Sequence, residues 1–433
     1  MRQTTAFFLA VTLSGLCLQP LHAQQPTKQD TLRELMRRID ILTQEIEKRT
    51  LGEVAEKKYE RYLGMGPAAS SVYHLVKPGI SIAGYGEIVF ENFSSEKDDG
   101  SASGAANNFD FLRHVTYLGY RFNDWLLFNA EIELEHAQTE TGAPGSVSVE
   151  FGYVEAQLSP MFNIRAGMLL PPVGIMNELH EPPTFHGVLR PESERRIIPS
   201  TWRANGVGIL GETKNGFGYK LYLTESLKAD GFSSNGVRGG RQNGAKAIAE
   251  DFGVSGRIDY TGVPGLDVGA SFYAGNTGQT LVDSVGNDVN ATYTLFSAHL
   301  MFARHGLEAR ALIASSHIDD AARLNGALGL AGANSVGEDQ LGYYVTLAYD
   351  ILPLLAPGTT HYLAPFIQYE KFDTQQDVPT GFSRNPARDR TNFTFGLTYK
   401  PIANIALKVD YMNRDNDANT AVDQLNLALN YLF

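Results

Sequence analysis

Thiol chemistry is almost absent from this 433-residue chain, whose one cysteine, Cys17, lies near the amino terminus. It falls inside a stretch that reads as a cleavable secretory signal, residues 1–23: Arg2 supplies the positive start, Ala6 to Leu18 the apolar core and Leu21-His22-Ala23 the cleavage site. Leu16 stands where lipid attachment to Cys17 would need a small residue, so lipoprotein processing is not expected. The exported chain then has no thiol, which excludes disulfides, thiolate catalysis and cysteine metal sites. Long apolar runs are missing too. Hydrophobic residues make up 43%, and after residue 20 no stretch of about 18 apolar residues exists to form a membrane helix. Positive charge is also scarce: 36 basic residues face 48 acidic ones, and the net charge of −12 becomes −13 when Arg2 leaves, which argues against a nucleic-acid partner. His180-Glu181 and His186 lack the HExxH interval that sets two histidines on one helical face. Ser315, Ser316 and His317 are neighbours in sequence, so strand alternation separates Ser316 from His317 and leaves no nucleophile motif. The sequence calls for no cofactor, no metal and no enzymatic activity.

Glycine, tyrosine and phenylalanine are plentiful instead, at 43, 20 and 23 residues, as expected of many strands joined by tight turns and flanked by aromatic girdles. Alternation of apolar and polar residues predicts sixteen strands near 79–92, 108–122, 125–138, 147–158, 161–170, 204–213, 216–225, 251–261, 265–275, 291–304, 306–317, 340–351, 361–373, 391–400, 403–413 and 423–433. Most have the roughly 9 to 11 residues that a tilted strand needs to cross a bilayer. Short turns such as Asn123-Asp124, Ser159-Pro160 and His305-Gly306 take their places between long polar loops at 94–107, 139–146, 171–203, 226–250, 276–290, 318–339, 374–390 and 414–422. Only the 352–360 turn is long for its side. A soluble sandwich has no reason to sort its loops by parity, whereas a transmembrane barrel has tight periplasmic turns and long outer loops. The expected fold class is all-β: a transmembrane antiparallel β-barrel of about 16 strands over residues 78–433.

Ahead of the barrel, residues 24–77 read as a periplasmic segment. Leu32, Leu35, Ile39, Leu42 and Ile46 recur at intervals of three and four, a short coiled-coil helix that breaks at Arg49. Isoleucine at the first apolar position and leucine at the second favour two strands over three. Ser70 to Pro78 reads as a linker.

Parity sorts the charges. In strand 161–170, Phe162, Ile164, Ala166 and Met168 face outward, which sends Asn163 and Arg165 to the lumen. The same test places Lys220, Arg257, Arg310 and Lys408 inside, with Glu131, Glu133, Glu135, Glu155, Asp259, Glu308, Asp350 and Asp410. A charge on the lipid face costs roughly 2 to 4 kcal/mol near midplane for Arg or Lys, so the sorting implies a water-filled lumen lined by these residues. The loop 171–203 is too rich in proline to be helical throughout, yet it carries Val173, Ile175, Phe185, Val188, Ile197, Ile198 and Trp202. A loop in water has no use for them, and a fold-back into the barrel would bury them.

The last stretch, Asp423 to Phe433, carries a resemblance. Leu425, Leu427, Leu429, Tyr431 and Phe433 share one parity and the chain ends on the aromatic, which resembles the final strand of bacterial outer-membrane porins. The resemblance implies that Phe433 belongs to a signal read by the barrel-insertion machinery. It also implies that 171–203, as the third outer loop, is a constriction loop, with Arg190, Arg195, Arg196 and Arg203 near the eyelet beside Glu178, Glu181, Glu192 and Glu194. Over Pro78 to Phe433 the architecture is similar to that of the phosphate-selective porin O and P family. That family implies a homotrimeric anion channel, although this lumen holds more acids than bases. The expectation is a passive channel of the cell outer membrane, embedded in its lipid and conducting small anions or polar solutes. The alternative is a barrel with a plugged lumen that serves as a lipid hydrolase or adhesin.

Overall fold

The computed structural model describes residues 61–433, so the expected signal segment and heptad helix lie outside the described residues. The first eight strands are β1 Gly79–Phe93, β2 Asn108–Arg121, β3 Leu126–Glu135, β4 Ser146–Ser159, β5 Phe162–Leu169, β6 Ala204–Glu212, β7 Phe217–Glu225 and β8 Phe252–Tyr260. The others are β9 Leu266–Gly275, β10 Tyr293–Arg304, β11 Leu307–Ile318, β12 Asp339–Tyr349, β13 Tyr362–Asp377, β14 Asp389–Ile402, β15 Ile405–Asn416 and β16 Gln424–Leu432. Each pairs antiparallel with its sequence neighbours, and β1 pairs with β16 from Tyr85↔Leu432 to Phe93↔Gln424, closing the barrel. All sixteen lie where alternation places them, with ends shifted by a few residues. Closure leaves no unpaired edge, which an open sheet would expose.

The pleat decides what faces in. On β16, Gln424, Asn426, Ala428 and Asn430 are buried while Leu425, Leu427 and Leu429 are exposed on the outside. Phe433 follows directly: its amide and carbonyl exchange 2.8 Å hydrogen bonds with Gly84, and its ring stacks on His114 at 6.0 Å. At the short-turn end, His305 and Gly306 join β10 to β11 with φ of 53° and 81°, the left-handed pair whose twist suits a two-residue hairpin. The long turn there folds on itself, because Leu352–Leu355 forms one helical turn and Asp350 Oδ1 accepts the amides of Leu352 and Leu363, each at 3.1 Å.

One expectation is corrected. The stretch read as a linker, Ser70 to Pro78, and the residues before it do not run free toward the barrel. Met65, Ala68, Ala69 and Val72 are buried in one cluster with Tyr85, Tyr117, Leu127 and Tyr153 of the inner wall, at the short-turn end. Val72 lies against Gly119 of β2, and the Ser81 hydroxyl of β1 meets that of Ser71 at 2.8 Å.

Candidate functional site

Residues 171–203, between β5 and β6, fold into the lumen. The driving force is apolar: Val173, Ile175, Met176, Leu179, Ile197, Ile198 and Trp202 are each 2% exposed or less. They pack on Tyr273, Tyr293, Leu295, Leu312, Ala314, Tyr344 and Phe372, with Trp202 edge-on to Tyr273 at 4.6 Å. This part of the inner wall is greasy, which departs from a uniformly polar lumen. The signal was present, because β10 to β12 carry apolar residues on both parities in their long-loop halves.

A proline-rich loop has few partners of its own for its backbone, and buried carbonyls and amides must find others. The charges of the lumen provide them. Lys408 Nζ donates to the carbonyls of Pro182 (2.8 Å) and Gly187 (2.9 Å), Arg310 to Thr184 (2.9 Å) and Arg257 to Gly174 (2.5 Å). Asp410 accepts the Val188 amide (2.6 Å), and Glu370 accepts the amide and hydroxyl of Ser193 (2.7 and 2.9 Å). Within the loop, Glu194 Oε2 accepts the amides of Ile175 and Met176, both at 2.7 Å, while its Oε1 accepts the Tyr344 hydroxyl at 2.6 Å. Lys220 is spent on Glu178 at 2.5 Å, Glu131 on His180 at 3.1 Å, and Glu155 with Arg165 at 2.7 Å. Glu133 meets Arg113 at 3.4 Å. The sequence reading sets these side chains along open water; in the structure most of them are sockets for inward-folded chain. Glu135, by contrast, faces the cavity on the long-loop side.

The four arginines part company. Arg203 pairs with Glu150 on β4, away from the passage. Arg195 and Arg196 both pair with Glu192 inside the one-turn helix Glu192–Arg196, at 3.1 and 2.9 Å. Arg190 has no carboxylate partner among the described residues and donates to the His180 carbonyl, at 3.2 Å. It lines a cavity of about 840 Å³ toward the long-loop end, with Arg195, Arg196, Arg238, Arg390 and Arg414. A second cavity, of about 410 Å³, opens toward the short-turn end between the loop and β9 to β13. Leu189 lines both, Arg190 lines the first and Pro191 the second, so residues 189–191, here called the neck, lie between the two cavities.

Sequence reasoning missed the second inward loop. Leu227, Ala229, Phe232 and Val237, between β7 and β8, join the same apolar cluster, and Thr374 of β13 donates to the Ser234 carbonyl at 2.6 Å. This loop delivers Arg238 to the outer cavity. Burial, then the neighbouring Arg241, Arg195, Arg190 and Arg196, pull the Arg238 guanidinium below its ordinary pKa. Among the described residues, Arg190, Arg238, Arg390 and Arg414 have no carboxylate within ion-pair distance, although Glu91, Asp110, Glu135 and Asp415 also line the cavity.

His180 turns to Glu131, Glu181 to the amides of Ala68 and Ala69, and His186 to Glu308. Asp259, Asp267 and His299 do converge within 4.8 Å. Arg257 lies 2.8 Å from Asp259 and 3.0 Å from His299, and Arg61 lies 3.4 Å from Asp267, so guanidiniums already occupy the role a cation would take. Ser316 points inward, while His317 faces out toward Asp339 at 2.7 Å.

No family model matches the sequence. A protein of Aquifex aeolicus (strain VF5), described only as uncharacterized, is 38% identical over 389 residues, covering 88% of this chain and 86% of its own. Among solved structures, OmpF of Salmonella typhi, in complex with daunomycin, has a TM-score of 0.52 at 14% identity over 82% of this chain and 98% of its own. The outer-membrane channel DcaP of Acinetobacter baumannii gives the same values. An anion-selective porin from Comamonas acidovorans has a TM-score of 0.51 at 10% identity over 82% of this chain and all of its own. The chain therefore belongs to the family of the Aquifex aeolicus protein, and its fold is that of the outer-membrane porins.

Proposed function

We propose that this protein is an outer-membrane porin, a passive diffusion channel for small hydrophilic solutes that prefers anions, phosphate among them. Residues 1–23 direct export and are removed, and Phe433 belongs to the signal for insertion. The barrel sits in outer-membrane lipid as a homotrimer, and its long loops face outward. The observation that carries the reading is the set of four guanidiniums without carboxylate partners, Arg190, Arg238, Arg390 and Arg414, around the outer cavity. Two charges 4 Å apart interact by about 1 kcal/mol in bulk water and about 4 kcal/mol at an effective dielectric near 20. Seven arginines line this cavity against five carboxylates, so its local balance is positive, while charges farther along the lumen are screened over roughly 8 to 10 Å at ordinary salt. The net charge of −12 does not set the preference.

The inward loop and the packed segment ahead of β1 also favour one competing reading, a barrel whose lumen is sealed and whose loops act as an enzyme or adhesin. Planar-bilayer recording separates the two. A channel gives stable ohmic steps and a reversal potential on the anion side in a salt gradient. A sealed barrel gives no steps, and that result would overturn the proposal. Arg190→Ser should move the reversal potential toward cations.

A further inference from the structure

The short-turn half of the lumen is divided unequally. On the β1 to β7 side it is filled by residues 61–75. Asn129 of β3 donates to the Ala69 carbonyl at 2.8 Å, and the Tyr73 hydroxyl bonds Tyr153 and Glu155, each at 2.8 Å, while accepting from Arg165 at 3.0 Å. Tyr62 stacks on Tyr73 at 3.9 Å, and Leu63 packs beside Gly218 of β7. The same segment is tied to the inward loop: the Gly66 amide donates to the Glu178 carbonyl at 3.2 Å, and Glu181 accepts the amides of Ala68 and Ala69 at 3.2 and 2.9 Å. The cavity that remains lies on the opposite side, against β9 to β13, and Arg61 is the residue of this segment that lines it.

We propose that residues 61–75 form a second constriction element, which confines the periplasmic half of the passage to the β9–β13 side and places the Arg61–Asp267 pair on the conducting path. This rests on the channel reading above. The first constriction, at 189–191, is a loop between strands; the second is made by chain that precedes the barrel. Its fit is specific. Gly119 has no side chain because Val72 sits there, and a Cβ built at that position would lie 2.5 Å from the Val72 Cβ. The wall of β2 is shaped to receive the segment, and the Glu178 carbonyl and the Glu181 carboxylate hold it against the loop. A solute leaving the neck meets Arg61 and Asp267, 3.4 Å apart, before it reaches the periplasm.

Two changes to the full chain test this in planar bilayers. Gly119→Leu projects from the β2 wall into the space of Val72 and should expel the segment. Conductance should then rise roughly two-fold, because the passage gains the cross-section the segment occupied. Arg61→Cys, in a mature chain with no other thiol, should react with charged methanethiosulfonates. An anionic label should shift the reversal potential toward cations relative to a cationic label. If Gly119→Leu does not yield a folded, heat-modifiable barrel, the Arg61 labels decide. Absence of steps from the unaltered protein would overturn the channel reading and the second constriction with it. Steps from the unaltered protein that neither change alters would overturn the second constriction alone.

Discussion

Replacing Glu194 by alanine should release the middle of the inward loop while leaving the barrel closed. The carboxylate is fully buried and accepts three hydrogen bonds, from the amides of Ile175 and Met176 and the hydroxyl of Tyr344. Alanine leaves those three donors buried without an acceptor, at about 1 to 3 kcal/mol each, or about 3 to 9 kcal/mol against the folded-in loop before relaxation. Since every 1.4 kcal/mol is ten-fold in a population, even the lower figure makes released conformers roughly a hundred times commoner. Glu194→Gln keeps one oxygen acceptor and should lie between the two. Lys408, Arg310, Asp410 and Glu370 still hold other parts of the loop, and no strand pairing depends on Glu194. In outer membranes, trypsin should cut at Arg195 and Arg196 faster in Glu194→Ala than in Glu194→Gln, and single-channel currents should become noisier in the same order. An alanine variant with unaltered cleavage rate and steady, unaltered conductance would refute the view that this carboxylate organises the loop.

Arg190→Ser should shift the reversal potential further toward cations than the double change Arg195→Ser/Arg196→Ser, because the latter pair is already offset by Glu192; equal shifts would place the neck elsewhere. Raising the salt concentration tenfold should weaken the anion preference as the Debye length falls to roughly 3 Å near 1 M, checked by the same recordings. Phe433→Asp should reduce the protein recovered in outer-membrane fractions, because it breaks the aromatic contact where β16 closes on β1; normal recovery would count against the role of the terminal residue. Replacing Leu35, Ile39 and Leu42 by serine should weaken the oligomer without changing single-barrel conductance, and unchanged mass in native electrophoresis would show that the barrel wall holds the copies together.

The number of strands, their order and which parity faces out were legible in the sequence, because each is set by local alternation that the pleat reads directly. Phe162, Ile164 and Leu427 need no tertiary information to be placed: a strand with one greasy face can satisfy it only on one side of a closed wall. That 171–203 buries an apolar face was legible too, since Ile175, Ile197 and Trp202 have no use in a solvated loop, but whether it turns inward or lies across the outer mouth was not. What faces each lumen charge was not. Lys408, Arg310 and Asp410 bond backbone groups more than a hundred residues away, and no periodicity encodes such pairings. Residues 61–75 illustrate the same limit. Their composition reads as a linker, and only the space over Gly119 and the acceptors of Glu181, brought together by closure of the barrel, turn them into packed lumen. Alternation along a strand is a one-dimensional property that sequence determines; which of many polar groups meet inside the closed wall depends on its three-dimensional volume, and that the tertiary structure alone decided.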